Sequence, residues 1–184
     1  TVRNIEAMKI DMVVIRHPAA GAPHFLARHV DAGVINAGDG QHEHPTQALL
    51  DMMTLQEKCG KLRGLRVALI GDITHSRVAR SNIYGLKTMG AEVAVCGPST
   101  LLPREVEQWD IEVFTKLDDA IRWADVLNVL RLQLERQQSG LIPSLREYAA
   151  SFGVTRARLA AAKKDVVIMH PGPMNRGVEI ESDL

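Results

Sequence analysis

The feature that most constrains the fold of this 184-residue chain is a repeated alternation of short apolar runs with helix-like segments after residue 64. Apolar runs of strand length occur at 66–72, 91–97, 111–114, 125–130 and 165–169, and helix-like segments separate most of them. Apolar strands that alternate with helices are typical of a parallel sheet covered by helices on both faces. We therefore predict a doubly wound α/β domain over residues 60–184, with helices that include one around 143–152 and one around 155–163.

A shorter α/β unit precedes this domain. Residues 11–15 and 34–37 are predicted strands, and a helix is predicted between them near residues 25–30. Two strands and a helix cannot cover both faces of a sheet, so we interpret residues 1–59 as the C-terminal part of an incomplete second doubly wound domain. Pro45 favours a helix start and Gly60 a helix end, which predicts a helix that joins the two domains. Its predicted wide apolar face comprises Ala48, Leu49, Met52, Met53 and Leu55. The chain opens on Thr1 with a helix-like segment, so we expect a fragment of a longer protein.

The composition excludes several classes of function. Lys plus Arg and Asp plus Glu each total 22, so the formal net charge gives no reason to expect a nucleic-acid partner. The two cysteines cannot form a disulfide framework, which favours the cytoplasm. The longest apolar runs are too short to span a membrane. The IGDITHSR turn lacks the GxGxxG glycines, so we expect no dinucleotide and no other cofactor.

Polar side chains follow four of the predicted strands. They are Arg16, the segment 72–77, Arg131 with Gln133, and the segment 170–173. Ligands of parallel α/β sheets bind beyond the carboxyl ends of the strands. These positions are therefore the candidate site.

The segment GDGQHEHPTQALLD at 38–51 permits three interpretations. A metal site is disfavoured, because the segment lacks the HExxH spacing and His42 with His44 would need a distant third ligand. His44 as a helix-capping residue and Gln47 as an exposed first-turn residue form the plain structural alternative. The third interpretation is a binding site, because residues three apart share one face beside the positive helix end. An imidazole donor and an amide oxygen acceptor would together suit a carbamoyl group.

The motifs RHP, HPTQALLD, GDITHSRVARSN, LRLQLERQ and MHPGP together resemble the aspartate carbamoyltransferase family, in order and in separation. The resemblance covers residues 16–173. It implies two α/β domains, a homotrimer with active sites at subunit boundaries, and transfer of a carbamoyl group from carbamoyl phosphate to L-aspartate in pyrimidine biosynthesis. The products would be N-carbamoyl-L-aspartate and phosphate.

The resemblance also implies roles for single residues. Arg16, His44 and Gln47 would act on carbamoyl phosphate, with Arg16 contacting the phosphate and the carbonyl oxygen. The aspartate carboxylates would be bound by Arg77, Arg131 and Gln133, while Arg136 would order its own loop. Backbone carbonyls would be presented by Gly172 and Pro173, and His170 is interpreted as a packed strand-end residue. The alternative for any one arginine is a surface salt bridge.

Several alternatives stay open. Ornithine as the acceptor is disfavoured, because HPGP stands where ornithine enzymes carry HCLP and because Arg131 suits an acid. A non-catalytic assembly subunit with the same fold is a second alternative. The family's phosphate-binding Ser-Thr-Arg-Thr stretch and its neighbouring-subunit lysine do not occur in this sequence, so we expect the 184-residue chain to be inactive alone. The sequence does not decide whether a regulatory or dihydroorotase partner binds.

Overall fold

The computed structural model describes residues 2–132 and 140–184, and it confirms the predicted alternation of strands and helices. The first part comprises α1 (Val2–Glu6), β1 (Met12–His17), α2 (Ala22–Ala27), β2 (Gly33–Asp39) and α3 (Pro45–Cys59). The next comprises β3 (Arg66–Ile70), α4 (Arg77–Thr88), β4 (Glu92–Cys96), two short 3-10 helices (Ser99–Leu101 and Val106–Trp109), β5 (Glu112–Phe114) and α5 (Leu117–Trp123). The last comprises β6 (Val126–Val129), α6 (Leu145–Phe152), α7 (Arg156–Leu159) and β7 (Val167–Met169).

The strands form two parallel sheets. One holds β1 and β2, and the other has the strand order β5-β4-β3-β6-β7. Every strand pair is parallel, so the predicted α/β class is confirmed. The chain adds β4 and β5 on one side of β3 and then returns to add β6 and β7 on the other. In open α/β sheets this reversal point, here between β3 and β6, is where ligands bind.

The five-stranded sheet is buried on both faces, which explains its near-continuous apolar strands. Alternate residues of β3 separate into two cores, with Val67 and Leu69 in one and Ala68 and Ile70 in the other. All four are fully buried. The helices therefore lie on both faces, as the doubly wound prediction requires.

Helix α3 packs into the core of the second sheet. Its Pro45 is the first helical residue, and Gly60 ends it in the left-handed conformation at φ 75°. Leu55 is 1% exposed and lies in the same core cluster as residues of β3, β4 and α4. The helix predicted to join the two domains is thus also part of the second core.

Three details differ from the sequence-based expectation. The helix expected near residues 25–30 is Ala22–Ala27, because the chain turns after Ala27 to reach β2. The helix expected over 155–163 is only Arg156–Leu159, because the chain turns after Leu159 to reach β7. The apolar face predicted for α3 is too wide, since Leu49 and Met53 are 62% and 61% exposed. One side of α3 packs against α4 and the sheet, and these two side chains lie outside that contact. Among the described residues, no helix is long and apolar enough to cross a membrane.

Candidate active site

Arg77 extends from the start of α4 onto the loop that follows β2. Ser76 caps α4 by accepting a hydrogen bond from the backbone N–H of Ala79, which fixes where the helix begins. Arg77 is 7% exposed and its Nη1 donates to the backbone carbonyl of Gly40 at 3.1 Å. A Cβ atom at Gly38 would lie 2.9 Å from Nη1. The absence of a side chain at Gly38 therefore makes room for the guanidinium.

Two arginines line one cavity beside this loop. The cavity has a volume of about 420 Å³ and is lined by Arg16, His17, Pro18, Gly40, Gln41 and Arg77. Arg16 lies on β1 and is exposed, whereas Arg77 comes from α4 and is buried. Two guanidinium groups on one cavity favour an anionic ligand with several oxygens.

His44 stands beside this pair at the N-cap of α3. Its backbone N–H donates to Ser81 Oγ at 2.8 Å, and its side chain makes no capping hydrogen bond, so His44 occupies the N-cap position without capping the helix through its side chain. Burial lowers the pKa of His44, and the positive charges of Arg77 and Arg16 lower it further. Thr46 Oγ1 lies 3.3 Å from Nδ1. If the hydroxyl donates there, the neutral ring carries its proton on Nε2.

Gln47 belongs to a polar cluster centred on Asp51, which is 4% exposed. Gln47 Nε2 donates to Asp51 Oδ1 at 2.8 Å, while Asn82 Nδ2 and Asn128 Nδ2 donate to Oδ2 at 2.7 and 3.3 Å. Burial raises the pKa of Asp51, against the lowering effect of these hydrogen bonds. The cluster joins α3, α4 and β6 at the reversal point of the sheet.

Sequence reasoning missed Asp51 and Ser81. Asp51 lies one helical turn after Gln47 in the quoted HPTQALLD segment, so the i, i+4 spacing was a usable signal. Its partner Asn128 lies 77 positions away, and no periodicity relates the two. In the sequence, Ser81 cannot be distinguished from an ordinary helix residue, because its contact with His44 depends on how α4 packs on α3.

Arg131 lies two residues after the end of β6 and is half-buried. Gln133 and Arg136 lie outside the described residues. At the end of the adjacent β3, the buried Asp72 accepts from His75 Nδ1 at 2.8 Å. The predicted strand exits 72 and 131 are thus on neighbouring strands, on either side of the reversal point.

The HPGP turn follows β7. The side chain of His170 is 6% exposed, and its Nε2 lies 3.3 Å from the buried Glu179 Oε1. His170 Nδ1 accepts from the backbone N–H of Gly172 at 2.9 Å. The interpretation of His170 as a packed residue is confirmed. Gly172 and Pro173 are exposed and joined by a cis peptide bond.

A second group of charged residues lies beside the same loop. His24, Asp39 and Glu43 each bring one potential metal-ligand atom within 4.8 Å of the others, and within residues 2–132 and 140–184 they form the group that could hold a cation. Asp39 Oδ1 already accepts from the backbone N–H of Gly21 at 2.7 Å, and His42 Nδ1 lies 3.2 Å from Oδ2. In the part of the chain that the structure describes, the HxH pair His42 and His44 does not belong to such a group.

Comparison with known proteins identifies the family. The profile described as "Aspartate/ornithine carbamoyltransferase, Asp/Orn binding domain" matches residues 63–184, and the corresponding carbamoyl-P binding domain matches residues 1–57. The aspartate carbamoyltransferase catalytic subunit of Gemmatimonas aurantiaca is 64% identical over 100% of this chain and 58% of its own length. That of Heliobacterium modesticaldum is 60% identical over 100% of this chain and 59% of its own length. The chain thus spans less than two thirds of these relatives.

Solved structures agree with the sequence relatives. Aspartate transcarbamoylase from Trypanosoma cruzi in complex with phosphate has a TM-score of 0.84 at 30% identity, covering 98% of this chain and 60% of that chain. Its complex with N-(phosphonacetyl)-L-aspartic acid has a TM-score of 0.84, with the same identity and the same coverage of both chains. Its complex with carbamoyl phosphate has a TM-score of 0.83 at 29% identity, with 98% and 60% covered. The chain therefore belongs to the aspartate/ornithine carbamoyltransferase family.

Proposed function

We propose that the protein to which this chain belongs transfers the carbamoyl group of carbamoyl phosphate to the amino group of L-aspartate. The products are N-carbamoyl-L-aspartate and phosphate. The observation that carries this proposal is the grouping of Arg16, Arg77 and His44, in which the two arginines share one cavity and both lower the pKa of the histidine. The names of the relatives support aspartate as the acceptor.

The donor end of the site is assigned to Arg16, His44 and Gln47. As the neutral amine attacks, negative charge develops on the carbonyl oxygen, and a fixed donor there is worth about 3 kcal/mol in comparable acyl transfers. His44 supplies this donor through Nε2–H, and Arg16 neutralises the same oxygen and the phosphate. Gln47 Oε1 accepts from the carbamoyl NH2 group. The reaction needs no covalent enzyme intermediate, since the departing phosphate takes the proton of the amine and the protein orients the two reactants.

The acceptor end is assigned to Arg77, Arg131 and Gln133, because a guanidinium fork matches a carboxylate in two hydrogen bonds. Burial of Arg77 supports this role, since a desolvated guanidinium binds a carboxylate more strongly than an exposed one. Backbone carbonyls of Gly172 and Pro173 complete the site beside the amine and the carbamoyl NH2 group. Their exposure leaves them accessible to a substrate.

The larger-scale assignments follow from the same family. We propose residues 1–59 as part of the carbamoyl-phosphate domain and residues 60–184 as the aspartate domain, which agrees with the two matched profiles. A homotrimer with sites at subunit boundaries is proposed for the whole protein, and a regulatory or dihydroorotase partner remains an open assignment. The cytoplasm is the proposed compartment, supported by the free thiols of Cys59 and Cys96.

The proposal is tested on the full-length protein with two measurements. The first is formation of N-carbamoyl-L-aspartate from carbamoyl phosphate and L-aspartate, with L-ornithine as the competing acceptor. The second is calorimetry with N-(phosphonacetyl)-L-aspartic acid on Arg131→Ala. We expect product only with aspartate and an affinity loss of more than about a hundredfold, because the variant leaves a carboxylate desolvated without its partner.

Arg122→Ala is the matched control for the calorimetry. Arg122 is an exposed arginine that pairs with Asp119 on α5, so its loss should leave the affinity unchanged. An Arg131→Ala protein that binds the analogue as tightly as the unmodified protein contradicts the aspartate assignment. Product formation with ornithine instead of aspartate would replace the proposed acceptor.

A further inference from the structure

We propose that Asp51 fixes the hydrogen-bond polarity of Gln47, so that the site selects an acyl phosphate that carries N–H groups over one of similar shape that does not. This inference rests on the proposed function and adds a residue to it. Asp51 acts through Gln47 and is therefore a positioning residue. Asp51 thereby affects which acyl phosphate the site binds.

The first step of the argument is the contact between the two side chains. A side-chain amide has a donor end and an acceptor end of almost the same size, so its orientation depends on its neighbours. An ionised carboxylate has acceptors only. Gln47 Nε2 lies 2.8 Å from Asp51 Oδ1, so its NH2 group is directed at the carboxylate. Oε1 is then the atom of Gln47 that remains to meet a substrate, and it meets it as an acceptor.

The second step is that Asp51 orients two further amides in the same way. Asn82 and Asn128 both direct their NH2 groups at Asp51 Oδ2, although they come from α4 and β6. Their own oxygens, Asn82 Oδ1 and Asn128 Oδ1, are buried and find no hydrogen-bond partner within the described residues. Three amides that turn their donors to one buried group indicate that this group accepts on both oxygens. Gln47 cannot turn over without setting its oxygen against a carboxylate oxygen.

The third step concerns the substrate. Carbamoyl phosphate carries an NH2 group on the reacting carbon, whereas acetyl phosphate carries a methyl group of similar size there. The methyl group cannot donate to Gln47 Oε1, so an acetyl ligand would cover this acceptor without satisfying it. Sites built around a hydrogen bond discriminate strongly against an analogue that lacks the matching group. The selectivity therefore depends on Gln47 presenting oxygen, and that depends on Asp51.

A purely structural role for Asp51 gives a different result. If the cluster only holds α3, α4 and β6 together, its loss should weaken carbamoyl phosphate and acetyl phosphate by the same factor. If Asp51 sets polarity, only carbamoyl phosphate should be affected. The ratio of the two affinities separates the two roles.

The first experiment uses the unmodified full-length protein. Neutron diffraction on deuterated crystals shows which terminal atom of Gln47 carries the two deuterons and whether Asp51 carries one. We expect both deuterons on the atom that faces Asp51 and none on the carboxylate. Deuterons on the atom that faces away from Asp51, or a protonated Asp51 that donates to Gln47, would overturn the inference.

The second experiment measures the dissociation constants of carbamoyl phosphate and acetyl phosphate for the full-length Asp51→Asn variant. Asparagine keeps the shape of Asp51 but offers a donor, which allows Gln47 to turn over. We expect carbamoyl phosphate to bind about tenfold more weakly, the cost of about one hydrogen bond, and acetyl phosphate to bind within about twofold of its original affinity. Equal weakening of both ligands, or no change in either, contradicts the inference.

Asp118→Asn is the matched control, because Asp118 is an exposed carboxylate on α5 whose partner is Arg158. It should change neither constant. Synthesis of carbamoylaspartate by the unmodified protein is scored separately. If that synthesis occurs while Asp51→Asn keeps the original affinity ratio, the inference fails and the proposed function stands. If an Asp51→Asn protein does not fold, the neutron result alone decides.

Discussion

Gly38 shows how much of this site depends on a missing side chain. Its φ of 140° is one that residues with a side chain rarely adopt, and a Cβ there would lie within 3.1 Å of three atoms of the Arg77 guanidinium. The end of β2 therefore leaves the space that the Arg77 guanidinium of α4 occupies. A change at Gly38 should act on the site through Arg77.

We predict that Gly38→Ala raises the KM for aspartate about tenfold or more, because the new methyl group displaces the guanidinium from the Gly40 carbonyl. The strained backbone should also lower the free energy of unfolding by about 1–3 kcal/mol. Steady-state kinetics and chemical denaturation of the full-length protein measure the two effects.

Gly64→Ala is the control for backbone strain. Gly64 also has a positive φ, of 72°, and a Cβ there would meet no atom within 4 Å. This variant should lose stability and keep the KM for aspartate. An equal rise in KM in both variants would mean that strain alone, and not the displaced Arg77, is responsible.

At the scale of single residues, the sequence predicted the site residues that occupy motif positions, but it did not predict the residues that hold them in place. Arg16, His44 and Arg77 were recognisable, because strand exits and helix starts can be read from the pattern. Asp51 carried one usable signal, its i, i+4 spacing from Gln47, whereas its contact with Asn128 and the contact of Ser81 with His44 depend on packing between distant segments. The loop residues Gln133 and Arg136 remain predictions.

Among the secondary-structure elements, α3 has one face buried in the core and one face exposed. Leu55 is fully enclosed by the core of the five-stranded sheet, whereas Met53 on the same helix is 61% exposed. The two side chains are similar in volume and lie within one turn. They therefore provide a matched pair for measuring what the buried face of α3 contributes.

We predict that Leu55→Ala lowers the free energy of unfolding of the full-length protein by about 3 kcal/mol, through lost burial and the cavity that remains. Met53→Ala should change it by less than about 0.5 kcal/mol. Denaturant titration followed by circular dichroism measures both. A loss of similar size in the two variants would contradict the packing of α3 described above.

The elements themselves were largely predictable, because strand period and helix period differ and Pro45, Gly60 and Ser76 mark helix ends. The main error was at 155–163, where the alanines at 160–162 favour helix by propensity. There the structure turns, since residues 160–166 must bring the chain back to the sheet edge for β7 to pair with β6. Tertiary demands override propensity at such positions.

Across the whole molecule, α4 is the element that ties the two sheets together at the site. Within the described residues, three of its side chains form hydrogen bonds to residues 1–59: Arg77 donates to the Gly40 carbonyl, Ser81 accepts from the His44 N–H, and Asn82 donates to Asp51. Of these three bonds, the one from Ser81 acts directly on His44 and holds its backbone against α4.

We predict that Ser81→Ala lowers kcat about tenfold, because the partly buried N–H of His44 loses its acceptor and the imidazole shifts. Thr88→Ala is the control, since Thr88 is an exposed hydroxyl on the same helix that donates only to its own helix backbone, at Tyr84. Rapid-quench measurement of carbamoylaspartate formation tests both. A Ser81→Ala protein with the original kcat would show that the hydroxyl does not position His44.

The burial of Leu55 in the core of the five-stranded sheet also affects the order in which the chain unfolds. A helix whose apolar side chain is buried in the core of a neighbouring sheet unfolds together with that sheet. This holds even when the sequence assigns the helix to the other domain. The limit between cooperative unfolding units then falls before Pro45, in the turn after β2, and does not coincide with the sequence boundary at Gly60. Heating would release β1, α2 and β2 first and leave α3 docked.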